Sequence, residues 1–292
     1  MEQVRPPLAV IAGPTASGKS ALALDLAARA GGVVINADAS QIYADLPILS
    51  AAPTAAEAAR VPHRLFGTID GAEACTAARW AGLARTEIAA AQVEGKLPVL
   101  VGGTGLYLRT LLDGIAPVPA IPGEVRARVR VLPPAEVRAA LEAEDPAMAA
   151  KLHAHDAQRN ARALEVVRAT GRSLAVWQAA APEGGLQGEV TLQPLVIEVP
   201  RERLVARIDA RIDAMWHAGA LDEVRRLRAR GLSAALPVMR AIVVPPLLAL
   251  LDGHLTEAGA LERWRLDTRQ YAKRQSTWLR NQTGGWPRIA GG

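Results

Sequence analysis

The sequence predicts an α/β fold, in which a parallel β-sheet core is interrupted by a helical insertion domain. Apolar runs of strand length alternate with stretches of helical spacing through residues 1–113, which is typical of a parallel sheet covered by helices. From residue 124 to about 180 the pattern becomes mostly helical, and a later apolar run indicates a return to the sheet. We predict strands at 8–12, 33–36, 65–69, 97–101 and 193–199, and helices at 19–30, 73–94 and 104–112, with 201–282 again helical.

Breaks in the pattern set the predicted domain boundaries. Residues 114–123 are rich in proline, and two adjacent glycines stand at 184 and 185, before the last predicted strand. We therefore expect residues 1–113 and 196–292 to form the catalytic core, and residues 114–195 to form the helical insertion.

Composition limits the class of protein. The 292-residue chain is 50% apolar, but none of its apolar runs approaches the roughly 20 residues that span a bilayer, so we expect no membrane partner. The N-terminal residues lack the charged-then-apolar pattern of a secretory signal. Cys75 is the only cysteine, which excludes an internal disulfide and a cysteine-built zinc site. We expect a cytoplasmic protein, with a monomer as the default.

Residues 13–20 read GPTASGKS, a complete phosphate-binding loop between the first predicted strand and helix. Glycine lets successive backbone N–H groups converge on one anion, and the helix start adds a favourable dipole. Lys19 adds a point charge, and Ser20 adds a hydroxyl suited to Mg²⁺, the expected cofactor. The core is therefore predicted to be P-loop NTPase-like and to bind a di- or triphosphate. The predicted diphosphate-binding residues are Gly13, Thr15, Ala16, Ser17, Gly18, Lys19 and Ser20.

Two polar residues follow other predicted strands. Asp38 comes two residues after the strand 33–36, and Thr104 comes after two glycines that follow the strand 97–101. The carboxyl ends of parallel strands meet beside the phosphate loop, so Asp38 could hold a metal ion or take a proton from an attacking group. The alternative for both residues is a turn or a helix cap.

Arginine carries most of the positive charge, with 30 Arg and 4 Lys in a chain of net charge +5. This composition suits phosphate partners, but it equally fits compositional drift. Arg203, Arg207 and Arg211 recur on one face of a predicted helix, with Asp209 and Asp213 interleaved as candidate ion-pair partners. The basic and aromatic run 269–280 suits an RNA backbone with unstacked bases, or else an ordinary amphipathic helix. The five histidines show no metal-binding spacing.

Several segments, in order and covering nearly the whole chain, resemble the tRNA dimethylallyltransferases, also called tRNA isopentenyltransferases. GGTGLY together with AKRQSTWLR is the specific part of the resemblance. It implies transfer of a prenyl group from dimethylallyl diphosphate to N6 of adenosine 37, beside the tRNA anticodon, with the phosphate loop holding the leaving diphosphate. The segments are GPTASGKS (13–20), NADASQIY (36–43), PHRL (62–65), LPVLVGGTGLYLR (97–109), HAHDAQRNARALEV (153–166), RIDARIDAM (207–215) and TRQYAKRQSTWLR (268–280).

The resemblance also implies residue roles. Asp38 matches the family's base, and Lys19, Thr104 and Arg211 match groups on the side of the departing diphosphate. We therefore predict Asp38, Thr104 and Arg211 as catalytic residues. The insertion and the C-terminal helix are expected to contact the anticodon stem-loop of tRNA. The predicted tRNA-binding residues are Asp38, Ala39, Ser40, Gln41, Thr104, Arg126, Gln158, Arg159, Arg162, Arg240, Lys273, Arg274 and Gln275.

The chain departs from the family pattern at a few positions. Ala39 replaces the usual serine, Ala52 replaces a lysine, Val243-Val244 replaces Gly-Tyr, and 153–156 reads HAHD where HPND is usual. None of these changes removes the base or the phosphate loop. Two other interpretations stay open at this point: a P-loop kinase of a nucleoside or small metabolite, with Asp38 as its base, and a non-catalytic RNA-binding relative.

Overall fold

A single parallel sheet organises the chain. The computed structural model describes residues 5–291, and within them six parallel strands lie in the order β3-β2-β4-β1-β5-β6. Leu8 and Val10 belong to one apolar cluster and Ala9 and Ile11 to another, as the alternation of a strand buried on both faces requires. The predicted α/β class is confirmed. The strands are β1 (Pro7–Ala12), β2 (Val33–Asn36), β3 (His63–Arg64), β4 (Pro98–Gly102), β5 (Thr191–Glu198) and β6 (Arg288–Ala290).

Helices fill the connections between these strands. In the described part of the chain, none of them is both long enough and apolar enough to cross a membrane. The helices are α1 (Lys19–Ala30), α2 (Ala55–Arg60), α3 (Ala77–Val93), α4 (Gly105–Leu112), α5 (Gly123–Arg130), α6 (Pro134–Glu144), α7 (Pro146–Lys151), α8 (Ala157–Thr170), α9 (Leu174–Ala179), α10 (Arg201–His217), α11 (Ala220–Ala229), α12 (Val244–Leu251) and α13 (Glu257–Gln282), with a short 3₁₀ helix at Val238–Arg240.

The described residues form two compact units. The first contains the sheet and comprises the chain up to Leu112 and from Leu186 onward; the second, Asp113–Gly185, contains α5 to α9 around its own apolar core. The first predicted boundary differs by one residue from this division. The second, at 195/196, falls inside β5, because Thr191 already pairs with Pro7 of β1 and Leu186 N donates to the Leu111 carbonyl at 2.9 Å.

Three elements differ from the sequence prediction. The strand predicted at 65–69 is instead the two-residue β3, because Leu65 has a φ of 62° and the chain turns there. Beyond this turn, Ile69 forms an isolated parallel bridge with Tyr43. Helix α2 begins after Thr54, whose side chain forms a capping box with Glu57, a signal that the sequence carries. The short edge strand β6 was not predicted, because three residues carry too little alternation to mark a strand.

Candidate functional site

The phosphate loop connects the buried end of β1 to the start of α1. Ala16 and Gly18 have positive φ values of 61° and 89°, which turn the backbone N–H groups inward. Ser17 N donates to the Pro14 carbonyl at 3.2 Å, and a Cβ on Gly13 would lie 2.6 Å from Ser17 Oγ. The Ser17 hydroxyl is buried and has no hydrogen-bond partner within residues 5–291. A preformed concave loop with an unsatisfied buried hydroxyl is suited to an anion.

Lys19 is the buried cation of this loop. Its side chain is 8% exposed, and Nζ donates to the Pro14 carbonyl at 3.2 Å. Burial lowers the pKa of Lys19 from 10.5 to about 8, while the negative charge of Asp38 raises it and the positive charge of Arg211 lowers it. Asp38 and Arg211 therefore lie close enough to Lys19 for their charges to act on it. A bound diphosphate would favour the charged form of Lys19.

Asp38 is held at the carboxyl end of β2 by its neighbours. Asn36 Oδ1 accepts from Asp38 N at 2.7 Å, and Asn36 Nδ2 donates to the carbonyls of Asp38 at 3.0 Å and Leu65 at 2.9 Å. The buried Trp80 indole donates to the Asn36 carbonyl at 3.0 Å. One oxygen of the Asp38 carboxylate accepts from Ser40 N at 2.9 Å, and the side chain is half-buried. The carboxylate is thus fixed in orientation and able to accept a proton.

Thr104 joins the ends of β2 and β4. Its hydroxyl accepts from Ala39 N at 3.0 Å, and its N–H donates to the Ala37 carbonyl at 3.3 Å. The Tyr271 hydroxyl hydrogen-bonds with Thr104, and burial together with the charge of Asp38 raises the pKa of Tyr271 above 10. Tyr271 therefore stays neutral beside the carboxylate. The structure places two of the three predicted catalytic residues, Asp38 and Thr104, at adjacent strand ends.

Arg211 reaches the same site from α10. Its guanidinium donates to the Ser50 carbonyl at 3.4 Å; burial lowers its pKa, and the charge of Asp38 opposes that effect. The interleaved acids predicted as its partners pair elsewhere, because Asp209 binds Arg269 at 2.6 Å and Asp213 binds Arg265, both on α13. Within residues 5–291, neither acid forms an ion pair with Arg211.

The loop that follows Tyr43 shapes this part of the site. Gln41 Nε2 donates to the carbonyls of Ser50 at 3.1 Å and Ala51 at 2.8 Å, so both amide hydrogens of a predicted tRNA contact are used inside the protein. Glu223, on α11, is buried and accepts from Ile48 N at 2.8 Å and Leu49 N at 2.9 Å. Sequence reasoning missed Glu223, since nothing in the spacing of α11 distinguishes it from a solvated acid.

Gln275 lies inside the core unit, with 4% of its surface exposed. Its Oε1 accepts from Thr15 N at 2.8 Å, and its Nε2 donates to the Gly103 carbonyl at 3.0 Å. The amide is therefore engaged at both ends between the two glycine-rich loops. The motif alone did not indicate that Gln275 would lie on the inner face of α13, and its predicted tRNA contact stays a prediction.

The helical unit gathers three arginines around one buried acid. The Glu165 side chain is 3% exposed and lies 3.0 Å from Arg130, 3.6 Å from Arg162 and 3.9 Å from Arg126. Arg126 Nε is buried and lacks a hydrogen-bond partner in the described chain. One carboxylate cannot neutralise three guanidiniums, so this cluster keeps a surplus of positive charge. Arg130 and Glu165 are additions to the predicted pair Arg126 and Arg162.

The other predicted RNA contacts are on the surface of their units. Arg159 pairs with Asp156 at 3.4 Å, and the Arg274 guanidinium lies 5.8 Å from the ring centroid of Tyr271. Ala39 and Ser40 are half-buried beside Asp38. The exposed predicted residues are Gln158, Arg159, Arg240, Lys273 and Arg274.

The protein supplies one candidate ligand for a magnesium ion, and the other ligands would come from the diphosphate and water. Ser20 is exposed at the start of α1, and in the described residues no group of three or more His, Cys, Asp or Glu side chains is arranged to hold a metal. Mg²⁺ commonly binds through one or two protein oxygens, substrate phosphates and water, which one hydroxyl and a diphosphate would allow. Ser20 is therefore the residue that could hold Mg²⁺.

Comparison with known families gives matches over most of the chain. The family described as IPP transferase matches residues 41–282, and the one described as isopentenyl transferase matches residues 6–67. The chain belongs to the IPP transferase family. It is similar to the tRNA dimethylallyltransferase of Sphingopyxis alaskensis, with 58% identity over 283 residues that cover 96% of this chain and 92% of the relative.

Solved structures of this family have the same fold. A tRNA isopentenylpyrophosphate transferase from Bacillus halodurans superposes with a TM-score of 0.71 at 32% identity, covering 98% of this chain and 90% of the other. A eukaryotic dimethylallyltransferase acting on tRNA gives a TM-score of 0.81 at 28% identity, covering 98% and 74%. The predicted P-loop NTPase-like fold and the predicted prenyl transferase class are confirmed.

The two most specific family segments contact each other. A Cβ added to Gly103 would clash with the Gln275 amide, and one added to Gly105 would clash with the Trp278 ring. GGTGLY and AKRQSTWLR are therefore complementary surfaces of one site in this IPP transferase. The closely spaced glycines of GGTGLY indicated a place where another segment approaches the backbone. The sequence did not indicate that this segment is AKRQSTWLR.

Proposed function

We propose that this protein is a tRNA dimethylallyltransferase, which transfers the dimethylallyl group of dimethylallyl diphosphate to N6 of adenosine 37, next to the anticodon. The observation that carries the proposal is the juxtaposition of Asp38 with Lys19 and Arg211, whose pKa values both respond to its charge. A carboxylate that faces the cations of a phosphate loop suits a reaction in which one substrate loses a proton and the other loses a diphosphate.

The phosphate loop and its cations would act on the leaving group. As the bond between C1 of the dimethylallyl group and the diphosphate oxygen breaks, the electron pair stays on that oxygen and negative charge grows there. Lys19 and Arg211 are half-buried or buried, and they already face a shared anionic group, so they are preorganised for this charge. The Thr104 hydroxyl and the loop N–H groups would add neutral donors.

Asp38 would act on the nucleophile. The adenine N6 amine is a weak nucleophile because its lone pair is delocalised into the ring. Its proton becomes acidic as the bond between N6 and C1 forms. The carboxylate would accept that proton, so the products are the N6-prenylated adenosine, diphosphate and a protonated Asp38. A positioned base of this kind contributes about 10²–10⁴-fold to the rate. The adenosine would have to leave its stack to reach Asp38.

Magnesium, held through the Ser20 hydroxyl, would neutralise part of the diphosphate charge. The tRNA anticodon stem-loop is the proposed partner, and we propose that the protein works as a cytoplasmic monomer. The single, buried Cys75 supports a reducing compartment, since it has no cysteine with which to pair.

A labelling experiment tests the function. The protein is incubated with labelled dimethylallyl diphosphate, labelled ATP and an unmodified stem-loop with adenosines at positions 36–38. We expect the prenyl label to enter the RNA, and none to enter a stem-loop with guanosine at position 37, which lacks the N6 amine. Phosphate transfer from ATP to a small acceptor would indicate a kinase instead, and RNA binding without transfer of either label would indicate a non-catalytic relative.

The arginine cluster of the helical unit is proposed to bind RNA phosphate. Three guanidiniums around Glu165 leave at least two positive charges without a partner carboxylate in the cluster. We expect Arg162→Ala to weaken stem-loop binding and to reduce the slope of log K against log salt by about 1. The KM for dimethylallyl diphosphate should not change.

The matched control lies on the same helix. Arg168 is paired with Glu144 at 2.6 Å, so Arg168→Ala removes an already neutralised charge and should leave the salt slope unchanged. Equal slopes for wild type and Arg162→Ala, measured by filter binding across a salt series, would exclude the cluster from the RNA contact.

A further inference from the structure

The inner face of α13 carries a stripe of three side chains that faces both glycine-rich loops. Tyr271, Gln275 and Trp278 recur at helical spacing, and all are at least half-buried. Gly103 and Gly105 have no space for a Cβ against Gln275 and Trp278. The contact is therefore close at Gln275 and Trp278, where α13 packs directly against the turn 103–105.

Gln275 makes the polar contacts of this stripe. Its Oε1 takes the N–H of Thr15, at 2.8 Å, and this N–H belongs to the phosphate loop itself. Its Nε2 donates to the carbonyl of Gly103, at 3.0 Å, one residue before the predicted catalytic Thr104. A single buried amide thus ties the phosphate loop to the turn that carries Thr104.

The contact with Thr15 also removes one N–H from the anion-binding set. Thr15 N, at the strand end of the loop, has the Gln275 amide as its acceptor, and Ser17 N has the Pro14 carbonyl. The phosphate chain is thus left with the N–H groups toward the helix start, from Gly18 to Ser20, with that of Ala16 and the Lys19 ammonium. A longer phosphate chain needs more of the loop N–H groups, and the Thr15 N–H, which could serve as an additional donor, is already bound to the Gln275 amide.

We propose that Gln275 is a positioning and specificity-determining residue: it fixes the phosphate loop against the Thr104 turn and limits the loop to a diphosphate. This inference rests on the proposed function, because a limit to diphosphates matters only if the substrate is a prenyl diphosphate. Its first test uses inorganic phosphates, so it is independent of prenyl transfer.

The test compares binding of inorganic pyrophosphate and inorganic tripolyphosphate by calorimetry, at fixed Mg²⁺. Gln275→Ala frees Thr15 N and the space beside it. We expect this variant to gain affinity for tripolyphosphate relative to pyrophosphate by about tenfold, the effect of one hydrogen bond to a charged group. An unchanged ratio of the two dissociation constants would overturn the specificity role.

A second variant separates the two contacts. Gln275→Glu keeps an oxygen that accepts from Thr15 N. Its second carboxylate oxygen cannot donate to the Gly103 carbonyl and repels it. The variant should not gain affinity for tripolyphosphate relative to pyrophosphate, while its kcat at saturating dimethylallyl diphosphate falls at least tenfold, because the loop and Thr104 are no longer held in register. A kcat equal to that of wild type would overturn the positioning role.

The matched control is Gln282→Ala, at the exposed end of the same helix, which should change neither quantity. Thermal unfolding of each variant checks its fold, and Gln275→Glu still decides the positioning role if Gln275→Ala does not fold. Wild-type protein that binds pyrophosphate but transfers no prenyl group would contradict the proposed function while leaving the phosphate-length test valid.

Discussion

Replacement of Asp38 by asparagine is expected to lower kcat for prenyl transfer by about 10²–10⁴-fold, the contribution of a positioned general base. Asparagine keeps a side-chain oxygen for Ser40 N, the 2.9 Å contact that fixes the loop, but it cannot accept a proton at neutral pH. Binding of inorganic pyrophosphate should change by only a few fold. Single-turnover kinetics, with calorimetric binding alongside, measures the two effects separately.

The two Asp38 substitutions distinguish chemistry from structure. Asp38→Ala removes the proton acceptor and the Ser40 contact together, so it should be at least as slow as Asp38→Asn and less stable. Asp25→Asn, on the exposed side of α1, serves as the control for a lost negative charge. If Asp38→Asn lost pyrophosphate binding and turnover in equal proportion, Asp38 would be a binding residue and the proposed base would be wrong.

Replacement of Lys19 by methionine should have opposite effects on activity and stability. The charge that faces the leaving diphosphate disappears, and we expect kcat/KM to fall by at least 10²–10³-fold, as for loss of one preorganised donor. The free energy of unfolding should rise, by about 3 kcal/mol at most, because burial of this cation lowers its pKa from 10.5 to about 8. Chemical denaturation at pH 7 measures that gain.

The pH dependence follows from the same lowered pKa. Between pH 8 and 10.5 the unfolded chain holds a proton on Lys19 that the folded protein has released, so the contribution of Lys19 to stability rises with pH in that window. Lys19→Met should lose this rise. In the native enzyme, diphosphate binding near pH 8 should take up a proton, which calorimetry in two buffers of different ionisation enthalpy detects. If Lys19→Met did not raise the free energy of unfolding at pH 7, burial of the Lys19 cation would not destabilise the folded protein.

The sequence predicted those parts of the site that depend on local pattern. A complete loop motif between an apolar strand and a helix identified Lys19. Asp38 was identified because it follows β2, and the carboxyl ends of parallel strands lie at one edge of the sheet. Contacts between distant segments could not be predicted in this way. Glu223 binds residues 174 and 175 positions away, and Gln275 binds Thr15 over a separation of 260 residues.

Ion pairing shows the same limit. The spacing of α10 offered Asp209 and Asp213 as partners for the arginines of that helix, but helix packing supplies Arg269 and Arg265 from α13 instead. Arg211, on the same helix, is left near Asp38, whose charge raises the pKa of its guanidinium against the effect of burial. The edge strand β6 and the turn at Leu65 depend on tertiary context in the same way, since neither has a distinctive local pattern.

A crystal structure with a non-hydrolysable thiodiphosphate analogue of dimethylallyl diphosphate and an unmodified anticodon stem-loop tests the central claim most directly. We expect the diphosphate in the loop 13–20, and an Asp38 carboxylate oxygen about 2.6–3.2 Å from N6 of an extruded adenosine 37. An Asp38 side chain directed away from that adenosine, or an RNA that leaves adenosine 37 stacked while the analogue is bound, would contradict the proposed role of Asp38.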